Sequence, residues 1–77
     1  MKTHFRGLMQ VCFAGDVVPY TYRYPLKEEY RGLEEGCQIV VPTPHGPDIA
    51  TLVCLGSTYN GYKKDILAVV GIDYDVD

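Results

Sequence analysis

Two stretches of this chain alternate with period two, and a turn separates them. In the first, Phe5, Gly7, Met9, Val11 and Phe13 fall on one side, with His4, Arg6, Leu8, Gln10 and Cys12 on the other. A repeat of two is the pleat of a β-strand with one buried face. Ala14-Gly15-Asp16 then supplies a turn, Gly for its tolerance of positive φ and Asp for local side-chain hydrogen bonding. In the second stretch, residues 17–24, Tyr20, Tyr22 and Tyr24 share a face opposite Thr21 and Arg23, between Pro19 and Pro25. Proline cannot donate to a central ladder, so this strand belongs near a sheet edge.

The rest of the chain continues in short pieces. Leu26, Tyr30 and Leu33 stand at i, i+4 and i+7, which predicts one or two helical turns within residues 26–35. Gly32 and Gly36 weaken a helix there, and an irregular loop is the alternative. Cys37-Gln38-Ile39-Val40-Val41-Pro42 reads as an apolar strand ended by proline, followed by a compact turn over Thr43-Pro44-His45-Gly46-Pro47. The nearly continuous apolar run from Ile49 to Leu55 predicts a central strand buried on both faces. Residues 56–64 form a polar loop with an Asn60-Gly61 turn signal, Ile66 to Ile72 returns as a fifth strand, and an acidic tail over about residues 73–77 is expected to fray. Five short strands without an internal repeat predict a single mainly β domain over residues 1–77. It would be a small five-stranded antiparallel SH3-like or OB-like barrel, with a short helical or irregular segment near residues 26–35. Closure would hide edges that otherwise invite aggregation.

Size narrows the function. A chain of 77 residues buries only about 60% of the surface its unfolded form exposes, which leaves little for an enclosed catalytic cleft beside the core. A non-enzymatic binding module is therefore expected. No apolar stretch approaches the roughly 20 residues that span a bilayer, and the start, Met1-Lys2-Thr3-His4-Phe5-Arg6, lacks the apolar centre of a secretion signal, so a cytosolic location is expected. Residues 1–64 hold seven bases and six acids, a balance of +1, while residues 65–77 hold four acids and no base. With a net charge of −3 and an isoelectric point near 5.2, the chain lacks the basic excess of a protein that grips duplex phosphates. Three excess negative charges also fall short of the dense acidic face of a DNA mimic.

Cys12, Cys37 and Cys54 are odd in number, widely spaced and set among apolar neighbours, as buried free thiols would be. No CxxC or HxxxH pair suggests zinc, although Cys37 and His45 are close enough in sequence to meet across a turn, and neither metal nor cofactor is expected. His4 and His45 could be combined with Cys37 or Asp48 as a thiol hydrolase only on paper. No glycine-rich elbow or helix N-terminus follows any cysteine to supply oxyanion donors. Walker, dinucleotide and paired-carboxylate patterns are absent.

Two clusters are candidates for contact. Tyr20, Tyr22 and Tyr24 could line the barrel interior, anchor a protein interface or stack bases, depending on which face points outward. Tyr59, Tyr62, Lys63 and Lys64 form the one aromatic and basic cluster in a loop. With Arg23, these residues are expected to bind a macromolecule, and the acidity of the chain points to a protein partner.

A resemblance adds a second expectation. The segments are an aromatic-rich strand closed by proline (Tyr20-Thr21-Tyr22-Arg23-Tyr24-Pro25) and a run from leucine through glycine to proline (Leu33 to Pro42). After them come the His45-Gly46-Pro47 hairpin, the apolar strand Ile49 to Leu55 and the entry Lys64-Asp65 into Ala68-Val69-Val70. Over residues 11–73 this order resembles the amino-terminal DNA-end-binding domain of the primosomal replication-restart helicase PriA. That resemblance implies a small barrel that binds single-stranded DNA at a 3′ end. In that family an Asp between two aromatics of the second strand helps hold the terminal nucleotide. Here Thr21 stands between Tyr20 and Tyr22, so the aromatic platform is kept and the carboxylate is missing. In its compactness the chain is also similar to small bacteriophage accessory proteins, which implies a host protein as the target and the bacterial cytosol as the place.

Overall fold

A computed structural model describes residues 6–73. The strands are β1 (Arg6–Cys12), β2 (Tyr20–Pro25), β3 (Gln38–Thr43), β4 (Gly46–Leu55) and β5 (Ala68–Val69). They form one antiparallel sheet in the order β2-β1-β4-β3-β5, curled into a half-barrel. The mainly β, five-stranded antiparallel architecture expected from the sequence is present. β4 is central, paired with both β1 and β3, and β2 lies at an end of the strand order. A register shift between Gln10 and Val11 in the β1–β4 ladder marks a bulge, which bends the sheet locally.

The core follows the alternation. Met9 and Val11 of β1, Ile39 and Val41 of β3, and Ala50 and Leu52 of β4 are buried together with Ile66 and Val69. Tyr24, Tyr30 and Leu33 complete the cluster, and Phe13, Tyr22 and Cys37 pack against it. The residues expected on the buried side of β1 are there, while Phe5 and His4 lie outside the described residues.

Several expectations need correction. The apolar run of β4 is buried on one face, not two: Ile49 is 47% exposed, because a single curled sheet has one interior and Ile49 alternates away from it. β2 begins at Tyr20, not at residue 17. The Asp16 amide donates to the Phe13 carbonyl at 3.0 Å around Gly15 (φ 86°), and Val17 and Val18 then lie exposed before Pro19. Pro42 sits inside β3 and does not end it. It faces Pro47 across the β3–β4 ladder, a position where neither residue needs an N–H because the pair is of the non-hydrogen-bonded kind. Residues 26–35 yield one 3₁₀ turn, Glu28–Tyr30, which delivers Tyr30 and Leu33 to the core but leaves Leu26 exposed. The thiols are less buried than expected: Cys54 is exposed, and Cys12 and Cys37 are half-buried, since Cys12 and Cys54 fall on the outer side of the sheet.

The fifth strand is shorter than residues 66–72 because its first residues do a different task. Arg23 donates its N–H to the Lys64 carbonyl and accepts from the Ile66 N–H, each at 2.9 Å, while the Leu67 N–H reaches the Val40 carbonyl at 2.8 Å. Residues 64–67 thus stitch the edge of β2 to the edge of β3. The chain then turns at Gly71 (φ 92°), where the Asp73 carboxylate accepts the Val69 N–H at 2.6 Å and a short hydrogen bond from the Tyr30 hydroxyl. Residues 74–77 of the expected acidic tail lie outside the described residues.

Candidate functional site

Closure of the barrel is incomplete among the described residues, and the opening is the candidate site. Residues 64–67 bridge β2 and β3 near Arg23 and Val40, but among the described residues no strand joins the upper parts of the two edges, from Tyr20 to Tyr22 and from Val41 to Thr43. Only one described side-chain bond crosses there, from the Tyr22 hydroxyl to the Pro42 carbonyl at 3.3 Å. A groove of about 520 Å³ lies at this opening, within the size range of ligand sites. Phe13, Pro19, Tyr20, Thr21 and Tyr22 contribute to it from the β1–β2 side, Pro42, Thr43 and Pro44 from the β3–β4 hairpin, and Tyr59, Tyr62 and Lys64 from the loop after β4.

The two sequence clusters therefore converge on one surface, but not with all their members. Tyr20, Tyr22, Tyr59, Tyr62 and Lys64 line the groove. Along β2 the tyrosine face runs from core to solvent: Tyr24 is 7% exposed, Tyr22 half-buried and Tyr20 47% exposed. Tyr24 belongs to the core, its ring tilted against Tyr30 with centroids 6.5 Å apart. Arg23 points away from the groove into a two-point ion pair with Asp65, Nε to Oδ1 at 3.1 Å and Nη2 to Oδ2 at 3.4 Å. Lys63 does not line the groove. Its Nζ lies 5.4 Å from the centroid of the Tyr59 ring and donates to the Gly61 carbonyl at 2.8 Å.

The loop that carries Tyr59 and Tyr62 is tied down by hydroxyls. Thr21 Oγ1 and Ser57 Oγ are 2.8 Å apart, and Ser57 Oγ accepts the Tyr59 N–H at 3.1 Å. Thr21, the position where the DNA-end resemblance would want a carboxylate, is thus occupied in holding this loop. The Tyr59 ring rests on Gly61 so closely that an added Cβ would stand 2.1 Å from its hydroxyl oxygen. Residue type alone did not single out Phe13, Pro19, Pro42, Pro44, Ser57 or Gly61. The three prolines carry the only available signal, as rigid apolar positions flanking the tyrosine strand and the hairpin turn.

Electrostatically the groove is simple. Among the described residues, Lys64 is the only charged one that lines it. Burial, with a smaller contribution from neighbouring Tyr20, raises the Tyr22 phenol above its ordinary value, which keeps it a donor to Pro42. Comparison with protein-family models, with curated proteins and with solved structures gives no match.

Other combinations raised by the sequence are kept apart. Cys37 precedes the six-residue β3 and His45 follows it, so roughly 20 Å of strand separates them. Among the described residues, no group of three His, Cys, Asp or Glu side chains is placed to hold a metal ion. A second hollow, about 410 Å³, is lined by Tyr24, Leu26, Lys27, Glu28, Tyr30, Arg31 and Leu55, a mixture of both charges.

Proposed function

We propose that this chain is a non-enzymatic module that binds a protein partner through the groove between β2 and the β3–β4 hairpin. The observation that carries the reading is that Tyr20 of β2 and Tyr59 and Tyr62 of a loop about forty residues later are exposed on one open groove walled by Pro19, Pro42 and Pro44. Tyrosine gives large amphipathic contact area with few rotatable bonds, and buried aromatic anchors dominate protein interfaces. Prolines lower the entropy lost when a surface is ordered by its ligand. A single lysine sets register and orientation but is a weak basis for gripping a phosphate backbone.

The test is affinity capture from a lysate of the native source, followed by mass spectrometry. A Tyr59→Ala/Tyr62→Ala variant is expected to lose the captured protein while its thermal transition stays in place, since Tyr59 is 54% and Tyr62 82% exposed. Undiminished capture by that variant overturns the reading. Single-stranded DNA, the ligand implied by the PriA resemblance, would use the same tyrosines for stacking and Lys63 and Lys64 for phosphates. Fluorescence anisotropy with a labelled single strand at rising salt separates the two. Saturable, salt-sensitive binding at micromolar or tighter concentrations would replace the protein reading with that one.

A further inference from the structure

We propose that the partner enters the groove as an extended acidic strand, pairing its backbone with Thr21 on the open edge of β2 and supplying the missing part of the barrel wall. The proposal rests on the reading of the groove as a protein site and adds the mode of recognition. It begins with hydrogen-bond parity. In an antiparallel ladder, residues two apart on a strand direct their N–H and C=O to the same side. Arg23 directs both groups away from β1, to Lys64 and Ile66. Thr21, two residues earlier on the same uninterrupted β1–β2 register, must present its N–H and C=O on that edge too. Among the described residues no backbone group of the loop before Lys64 bonds to them. Thr21 therefore offers one donor and one acceptor at strand spacing, inside an apolar groove.

The opposite wall does not compete for the added strand. On β3 the carbonyls of Gln38 and Val40 already accept from Val70 and Leu67. The next residue of that parity is Pro42, which has no N–H and whose carbonyl takes the Tyr22 hydroxyl. Pairing is thus one-sided and its register is pinned at Thr21. A donor and an acceptor side by side match a peptide backbone, whereas a phosphodiester chain offers acceptors only along its backbone. Successive side chains of an added strand alternate, so every second one would meet the Tyr20 and Tyr22 side of the groove and favour apolar or proline residues. Among the described residues Lys64 is the one charge on the lining and no carboxylate accompanies it there, which selects an Asp or Glu in the incoming segment. An exposed edge of this kind is normally blunted by charge, proline or a bulge, and Tyr20-Thr21-Tyr22 carries none of these.

The probe is a displayed library of short random peptides selected on the intact protein. Selected peptides are expected to carry an acid together with apolar residues at alternate positions, and to lose binding to the Tyr59→Ala/Tyr62→Ala variant. N-methylation of the best peptide, one backbone nitrogen at a time, should weaken binding about tenfold at the one nitrogen that donates to the Thr21 carbonyl and little at the others, as loss of a single hydrogen bond would. On saturation with that peptide, exchange of the Thr21 amide hydrogen should slow by about tenfold or more. Lys64→Glu should reverse the preference from acidic to basic peptides. Peptides that need the tyrosines but show a flat N-methylation profile and an unprotected Thr21 amide would overturn strand addition and leave the groove reading intact. Selected peptides that ignore the tyrosines, or failure to select any, would overturn both.

Discussion

The ring of Tyr24 fills the space above Gly7 that a side chain on that residue would need. The two face each other in register across β1 and β2, and an added Cβ on Gly7 would lie 2.5 Å from Tyr24 Cζ. This vacancy lets the last ring of the tyrosine strand lie down into the core, against Tyr30. Farther along β2, Tyr22 and Tyr20 face Met9 and Val11, whose side chains already fill the interior, and the rings are displaced progressively into the groove. One repeated residue type thus packs the core at one end of a strand and lines the groove at the other. What differs is the partner on β1.

Gly7→Ala is expected to destabilise the fold by about 1–3 kcal/mol, the usual cost of overpacking a buried site that cannot relax. Tyr24 is buried and flanked by Tyr30, so its ring has little room to yield. Gly32 is the control: nothing lies within 4 Å of an added Cβ and its φ is not in the left-handed region. Gly32→Ala should be neutral or stabilise by about 0.4–1 kcal/mol through the unfolded chain. Urea midpoints of the two variants check both. Equal midpoints would show that Tyr24 moves aside freely.

Acid and alkali should each loosen the turn after β5. The bond from Tyr30 holds the Asp73 carboxyl below its ordinary value of 3.8, with the Val69 N–H and Lys27 acting in the same direction against partial desolvation. A carboxyl lowered on folding contributes stability above its unfolded value, lost as pH falls through the folded one. Tyr30 is the reverse case. Burial first, then the bond to Asp73, raises its phenol well above 10.0, so its contribution is complete below that value and is lost as pH climbs beyond it. Unfolding midpoints should be flat over roughly pH 5 to 9 and fall on both sides. Asp73→Asn should flatten the acid limb, and Tyr30→Phe the alkaline one. An acid limb unchanged in Asp73→Asn would remove Asp73 from this role.

Much of the fold was legible because period-two alternation and Gly/Pro punctuation report local backbone chemistry. β1 with its Met9 and Val11 face, the hairpin at Pro44-His45 and the centrality of β4 are all of this kind. What escaped depends on neighbours the sequence does not name. Ile49 reads as core until the sheet is seen to have one layer, and Pro42 reads as a terminator until it is found opposite Pro47. For the site, aromatic residues flagged both clusters, but their convergence arises from residues 64–67 closing only part of the barrel. Tyr24 and Arg23 have the right residue types for contact, and were separated from the groove by a glycine on β1 and a carboxylate at residue 65.

Closure at Arg23 should survive loss of its ion pair. Both side chains are more than two-fifths exposed, although the facing Nε and Oδ1 atoms are shielded from water, so screening keeps the pair to about 0–1 kcal/mol. The two backbone bonds at 2.9 Å remain in any variant. A double-mutant cycle on Arg23→Ala and Asp65→Ala should give a coupling within that range, with the Ile66 amide still protected from hydrogen exchange. Loss of that protection would make the side chains the true fastening of the barrel.

Partner binding should be sensitive to a residue that touches no ligand. Gly61 has no positive φ, so alanine there is compatible with the backbone, yet its Cβ would collide with the Tyr59 ring. Because Tyr59 is more than half exposed, the ring can swing into solvent, and stability should change by no more than about 0.5 kcal/mol. Binding should suffer instead: an anchor displaced from an aromatic groove is expected to cost about 1–2 kcal/mol, or roughly 5- to 30-fold in affinity for the protein captured by the unmodified chain. The measurement pairs an affinity titration with a denaturation curve for Gly61→Ala. Removing the ring by Tyr59→Ala in the same background should add little, since the ring is already out of place. A large further loss would mean that Tyr59 keeps its position without the glycine.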